Sequence, residues 1–225
     1  NDVAANTAAI CNVIQIPLIV DIDTGFGNAV NVHHSVKVLE RAGASAIQIE
    51  DQAMPKRCGH FAGKQIIDKE EMCGKIKAAV DARRHEDFLV IARTDARALN
   101  GLSEALDRAA NYAESGADIT FIEAPESIEE IKTIASQTFC PQLINIVIGG
   151  KTPSLPLADL SGMGFGIVLY ANATLQGAVR GMTNALNHLK VHGELQEDPR
   201  FVATFDERQS AVKKQYFDEL EKKFS

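Results

Sequence analysis

The chain has 225 residues, 45% of them apolar and 24% charged, with a formal net charge of −7. That balance describes a globular protein with a substantial core and excludes collagen-like, mucin-like and disordered chains. Basic residues are scattered, which excludes wholesale nucleic-acid binding; no apolar run reaches the roughly 18–20 residues of a membrane span, and Asn1-Asp2-Val3-Ala4 carries no signal-peptide pattern.

In chain order, six short β-rich runs read as strands: 17–21, 46–50, 88–93, 119–123, 143–146 and 166–170. Each is almost continuously apolar, as in a parallel sheet covered on both faces. Between them lie helical stripes. Val32, Val36 and Leu39 precede Gly43; Met72, Ile76, Ala79 and Val80 follow the pair Asp68 and Glu71, which is spaced as a capping box. Leu102, Leu106, Ala109 and Ala113 close at Gly116, and Ser127 with Glu130 forms a second box before Ile131 and Ile134. Two long helices, around 172–192 and 205–223, are predicted to finish the chain. The four cysteines, Cys11, Cys58, Cys73 and Cys140, are far apart. Their spacing argues for free thiols in a reducing cytoplasm. Cys11, Cys73 and Cys140 read as packing residues, and His33 and His34 as surface or packing residues.

Strand and helix alternate six times without a linker, so the fold class is α/β with a parallel sheet, either doubly wound or a (β/α)8 barrel. Polar residues at the strand ends favour the barrel. Asp21 and Asp23, Glu50 and Asp51, Arg93 to Asp95, Glu123 and Asn145 all fall at C-terminal ends, where parallel barrels build active sites. One Asp after a strand commonly caps the next helix, but five strands in series with mixed signs point to a catalytic rim.

Two clusters stand out. Asp21-Ile-Asp23-Thr-Gly25-Phe-Gly27 offers carboxylate oxygens followed by glycines, with Glu50 a third donor across the rim. Without His or Cys the set suits Mg2+ or Mn2+ rather than Zn2+. It lacks the acidic positions of an EF-hand and the third glycine of a dinucleotide fingerprint. In Lys56-Arg-Cys58-Gly-His60, a thiol sits among Lys56, Arg57 and His60, a setting that lowers a cysteine's pKa. Gly59 and Gly63 give the connection freedom to move as a lid.

These runs, with Ile49-Glu-Asp-Gln52, Ile91-Ala-Arg-Thr-Asp95 and Glu123-Ala-Pro125, resemble the isocitrate lyase/phosphoenolpyruvate mutase superfamily over essentially the whole chain. The resemblance implies a (β/α)8 TIM-type barrel over 1–204, with residues 205–225 as a helix swapped between subunits of a homotetramer. It implies an Mg2+ site at Asp21, Asp23 and Glu50, and Cys58, His60 and Arg93 as catalytic residues. Gly59, Arg93, Glu123, Asn145 and Arg208 become substrate-binding residues. By the same resemblance Cys58 would be the lyases' catalytic thiol, which separates this branch from the phosphonate-forming mutases.

Leu175-Gln176 stands where the family's 2-methylisocitrate lyases carry an arginine, and Asn145-Ile-Val-Ile-Gly-Gly-Lys-Thr-Pro153 is similar to the dimethylmalate-lyase version. The expected reaction is Mg2+-dependent C–C cleavage of a 2-hydroxy dicarboxylate, a substituted malate fitting better than a tricarboxylate. Oxaloacetate hydrolysis, a mutase-like reaction and a non-catalytic metabolite-binding barrel remain as alternatives. The partner expected is a small 2-hydroxy or 2-oxo dicarboxylate, with no nucleic acid and no membrane. The first two strands of the family's barrel have no counterpart before Asn1, so a truncated sequence is expected, with 1–16 as the helix before the third strand.

Overall fold

Each of the six apolar runs forms a strand, and the six lie side by side in chain order as one parallel sheet, curled as part of a barrel. The computed structural model describes residues 2–57, 63–137 and 140–225. By contact the chain divides into two units, Asn1–Ala171 and Asn172–Ser225; the expected boundary at 204/205 falls inside the second. The first unit contains α1 (Asp2–Cys11), β1 (Ile19–Asp21), α2 (Ala29–Arg41), β2 (Ala46–Glu50), α3 (Lys69–Ala82), β3 (Leu89–Thr94) and α4 (Arg97–Asn100). It continues with α5 (Leu102–Glu114), β4 (Ile119–Ile122), α6 (Ile128–Gln137), β5 (Gln142–Asn145), α7 (Leu157–Met163) and β6 (Phe165–Leu169).

Successive side chains along a strand point to opposite faces, and this sorts the strand residues into two sets. Val20, Ile22, Ile47, Ile49, Val90 and Ala92 face outward and pack with Val32, Val36 and Leu39 of α2 and Met72, Ile76 and Ala79 of α3. Ile144 and Ile146 join Ile131 and Ile134 of α6 and Leu160 of α7. The opposite, concave face carries Ala46, Ile91, Ile119, Phe121 and Leu143, which pack with one another. One position further along that face, in step, come the charged residues of the rim.

Helix ends differ in detail from the expected caps. Asp68 makes no side-chain cap bond, whereas Asn28 and Asn31 form a full capping box before α2. Ser127 Oγ does accept from Glu130 N at 3.1 Å, but Glu130 reaches the Glu126 amide instead of closing the box.

The second unit contains α8 (Ala173–His192), α9 (Phe205–Ala211) and α10 (Lys214–Phe224). The single helix expected over 205–223 is two, because Lys213 adopts a left-handed φ of 54°. Thr204 caps α9 reciprocally with Glu207. Among the described residues no helix is long and apolar enough to cross a membrane.

Ile47 is fully buried between the sheet and its helices. Ile47→Ala is expected to cost about 2–5 kcal/mol, the usual range for opening such a cavity, measured as a lower midpoint in urea unfolding with an unchanged slope.

Candidate active site

The register of the sheet assembles the rim. Glu50 and Arg93 are direct partners across β2 and β3, so their side chains leave the same face together. Arg93 Nε lies 3.3 Å from Glu50 Oε2, and Arg93 Nη1 lies 3.6 Å from Glu123 Oε2 just beyond β4. Asp95, two residues along and hence on the same face, accepts from Arg93 Nε at 2.9 Å and Nη2 at 3.2 Å. The guanidinium also sits over the Phe121 ring, 5.2 Å from its centroid, a cation–π contact with the apolar layer beneath. Asn145 Nδ2 donates to Glu123 Oε2 at 3.5 Å. Glu50, Arg93, Glu123 and Asn145 therefore share one mouth, and Asp21 stands at its edge, where it accepts from Gln48 Nε2 at 3.3 Å and its charge acts on Glu50.

The acidic loop after β1 is tightly folded. Asp21 Oδ1 accepts from Asp23 N, Gly25 N bonds Ile22 O, and Glu50 N bonds Asp23 O, each at 2.8 Å. From below, the buried Lys75 of α3 donates to Thr24 O at 3.1 Å. Gly25 has φ +89°, and a Cβ there would lie 2.3 Å from Val32 Cγ2. Only glycine meets both constraints.

Glu50 is 1% exposed, and among the described residues neither carboxylate oxygen receives a hydrogen bond. Burial pushes its carboxyl up to about 7 from 4.5, a rise that Arg93 and Lys56 offset only in part. No three His, Cys, Asp or Glu side chains among the described residues stand close enough to hold a metal ion. Lys56 Nζ lies there instead, 2.5 Å from Asp23 Oδ1 and 3.8 Å from Glu50 Oε1. The donors are nevertheless those of a hard divalent cation: carboxylate oxygens, two of them buried without a donor. Asp21, Asp23 and Glu50 thus offer the oxygen donors such an ion takes, but as they stand they are not gathered closely enough to hold one.

Sequence reading grouped Asp51 and Thr94 with the rim, but strand alternation turns both to the helix side. Asp51 Oδ2 accepts from Thr94 Oγ1 at 2.7 Å, Tyr112 Oη at 2.8 Å and Arg108 Nη1 at 3.2 Å, and Oδ1 accepts from Asp95 N at 2.9 Å. Arg108 also donates to Ile67 O at 3.0 Å. This buried cluster clamps the ends of β2 and β3 to α5. Burial pushes both Asp51 and Tyr112 up.

Two further groups escaped sequence reading. Lys64, with a side chain 2% exposed, donates to Asp95 Oδ1 at 2.8 Å. Gln52 holds Arg57 through both its backbone N and O. Asp95 was read with the rim, at the end of the third strand; nothing in the sequence marks Lys64. Cys58, Gly59 and His60 lie outside the described residues. Arg208 belongs to the second unit, on α9, with its guanidinium 5.2 Å over Phe205.

The family model for phosphoenolpyruvate phosphomutase matches residues 1–190. The chain belongs to the PEP mutase/isocitrate lyase superfamily. It is 49% identical over 189 residues to a 2,3-dimethylmalate lyase of Eubacterium barkeri, covering 84% of this chain and 65% of that protein. It is 45% identical over 193 residues to a 2-methylisocitrate lyase of Aeropyrum pernix, covering 86% and 62%. The chain thus spans slightly less than two thirds of these superfamily members.

Among solved structures, a 2,3-dimethylmalate lyase has a TM-score of 0.88 at 34% identity, covering 98% of this chain and 75% of that one. An oxaloacetate acetylhydrolase with 3,3-difluorooxalacetate has 0.88 at 31%, covering 96% and 74%. A phosphonopyruvate hydrolase complex with oxalate and Mg2+ has 0.85 at 34%, covering 97% and 76%. The superfamily likeness accounts for the barrel-type fold of the first unit.

Two predictions follow from the charge pattern and the clamp. Between pH 4.5 and about 7 the native, metal-free chain retains a proton on Glu50 that the unfolded chain has lost. Stability therefore falls as pH rises through that window. Glu50→Gln removes this slope: in chelator it should exceed the wild type in denaturant stability at pH 8 and match it near pH 4.5. Tyr112→Phe leaves Asp51 one donor short and should cost about 1–3 kcal/mol in the same assay.

Proposed function

We propose that this chain carries the catalytic barrel of an Mg2+-dependent C–C lyase. Its substrate would be a 2-hydroxy dicarboxylate, a substituted malate such as 2,3-dimethylmalate ahead of 2-methylisocitrate, cleaved to pyruvate and a carboxylic acid. The observation that carries this reading is the buried Arg93 guanidinium beside Glu50 and Glu123, with both Glu50 oxygens lacking a donor among the described residues. Names of relatives support it: a 2,3-dimethylmalate lyase and a 2-methylisocitrate lyase. The preference for the smaller acid rests on Leu175-Gln176, where the family's 2-methylisocitrate lyases carry an arginine. Without that guanidinium a third carboxylate loses a bidentate partner.

Asp21, Asp23 and Glu50 would hold Mg2+, which would supply positive charge to the 2-hydroxyl oxygen as it gives up its proton. Arg93 binds a substrate carboxylate and offsets the negative charge that builds up as the C2–C3 bond breaks. It is rigid because Asp95 grips Nε and Nη2, so no reorganisation is needed when that charge appears. Glu123 and Asn145 orient the substrate from the next two strands. Cys58, in the Lys56-Arg-Cys-Gly-His60 motif, delivers a proton from its thiol to the carbanionic carbon, completing the departing carboxylic acid; the proton lost by the 2-hydroxyl passes to solvent, from which the thiolate is reprotonated. His60 supports that thiol.

A second reading, oxaloacetate hydrolysis to oxalate and acetate, is favoured by the likeness to oxaloacetate acetylhydrolase. Incubation with 2,3-dimethylmalate, 2-methylisocitrate, isocitrate and oxaloacetate separates the two by product. Pyruvate is expected from the first, abolished by chelation. Oxalate from oxaloacetate with no pyruvate from any acid would replace the lyase reading. Arg93→Lys should lower kcat/KM by about 10²–10³, the scale of one lost charge-stabilising donor. Cys58→Ser should nearly abolish turnover and spare Mg2+ binding.

A further inference from the structure

One buried cation of the mouth has no part in the chemistry above. Lys64 leaves the connection between β2 and α3, and its ammonium lies on Asp95 Oδ1 at 2.8 Å, the oxygen that also accepts from Arg93 Nη2 at 3.2 Å. Lys64 and Asp95 side chains are 2% and 0% exposed. Asp95 alone already matches Arg93 in charge and in geometry, with two bonds to the guanidinium. A second cation on the same carboxylate is costly to bury, and an apolar side chain could fill the space without that cost. Its effect is to give the Arg93–Asp95–Lys64 group a net charge of +1.

The charge of the whole mouth gives that excess a use. Among the described residues five carboxylates, Asp21, Asp23, Glu50, Asp95 and Glu123, stand with three cations, Lys56, Lys64 and Arg93. A divalent cation on the acidic loop brings the fully ionised set to zero. Without Lys64 the same set would stand at −1 and repel a dianion in a low-dielectric site.

Building on the assignment of Arg93 as the carboxylate clamp, we propose that Lys64 is a positioning residue for anion recognition: it shares the charge of Asp95, leaving the Arg93 guanidinium attractive to an incoming carboxylate. Lys64 never touches substrate. Its backbone setting fits the role, since the connection that bears it is stapled to the site by Ala53 N to Gln65 O at 2.8 Å and Ile67 N to Asp51 O at 2.9 Å.

The test is calorimetric binding of oxalate, in the presence of Mg2+, to the wild type, Lys64→Met and Lys64→Arg. Lys64→Met should bind oxalate about tenfold or more weakly, yet bind Mg2+ alone at least as tightly, because removing a cation favours one ligand and disfavours the other. Lys64→Arg should restore most of the oxalate affinity. Oxalate affinity within about twofold of wild type in Lys64→Met, or a parallel loss of both ligands as expected of mere disorder, overturns the proposal. So does a wild type that binds no oxalate. Should Lys64→Met fail to fold, Lys64→Gln is read by the same criteria. A wild type that binds oxalate but releases no pyruvate from any acid overturns the lyase reading alone.

Discussion

Arg93 is the group around which the first unit is arranged. A guanidinium at the end of a barrel strand, 8% exposed, is tolerable only if its charge is met at close range. Asp95 meets it with two hydrogen bonds, Glu50 and Glu123 with carboxylates on either side, and Phe121 with the face of its ring. All four lie on the concave face because all are reached by even steps along neighbouring strands. Parallel register then decides the contacts: Glu50 pairs with Arg93, and Arg93 pairs with Phe121. Local pairing geometry places these charges, with no loop of special shape required.

The same alternation gives each strand end two jobs. Glu50 and Arg93 point into the mouth; their neighbours Asp51 and Thr94 point to the helices and join Tyr112 and Arg108 of α5. Asp51 is buried but well supplied with donors, which work against the rise that burial imposes on its carboxyl. Glu50, one residue earlier, is equally buried and receives no hydrogen bond among the described residues. The contrast is chemical. A carboxylate with four donors braces a structure, whereas one deprived of donors keeps its proton or takes a cation.

Much of this could be read from residue order, and the failures have physical causes. Strands at 46–50 and 119–123 and the helix from Leu102 were visible because apolar periodicity and flanking glycines agree there. The rim was visible because polar residues at strand ends repeat five times. Asp51 was misplaced because adjacency in sequence says nothing of face unless the period is counted. The break at Lys213 was missed because a left-handed lysine carries no signal in composition; nothing there resembles the glycine that usually marks such a turn. Lys64 was missed for a deeper reason. A buried lysine among polar connection residues looks like any solvated one until the partner on another strand is known.

The connection after β2 shows how the mouth and its neighbourhood are held together. Gln52 grips the backbone of Arg57, the segments 51–53 and 65–67 pair with each other, and Gly63 adopts φ +80° with Arg57 Nη1 2.7 Å from where a Cβ would stand. The Arg57 guanidinium therefore lies against Gly63. Lys56, just inside that base, reaches the acidic loop, while Lys64, just inside its other end, reaches Asp95. One ammonium answers to Asp23 and Glu50 and the other to the partner of Arg93, so the connection is tied to both halves of the charge pattern. A cation arriving at the acidic loop must displace or share with Lys56.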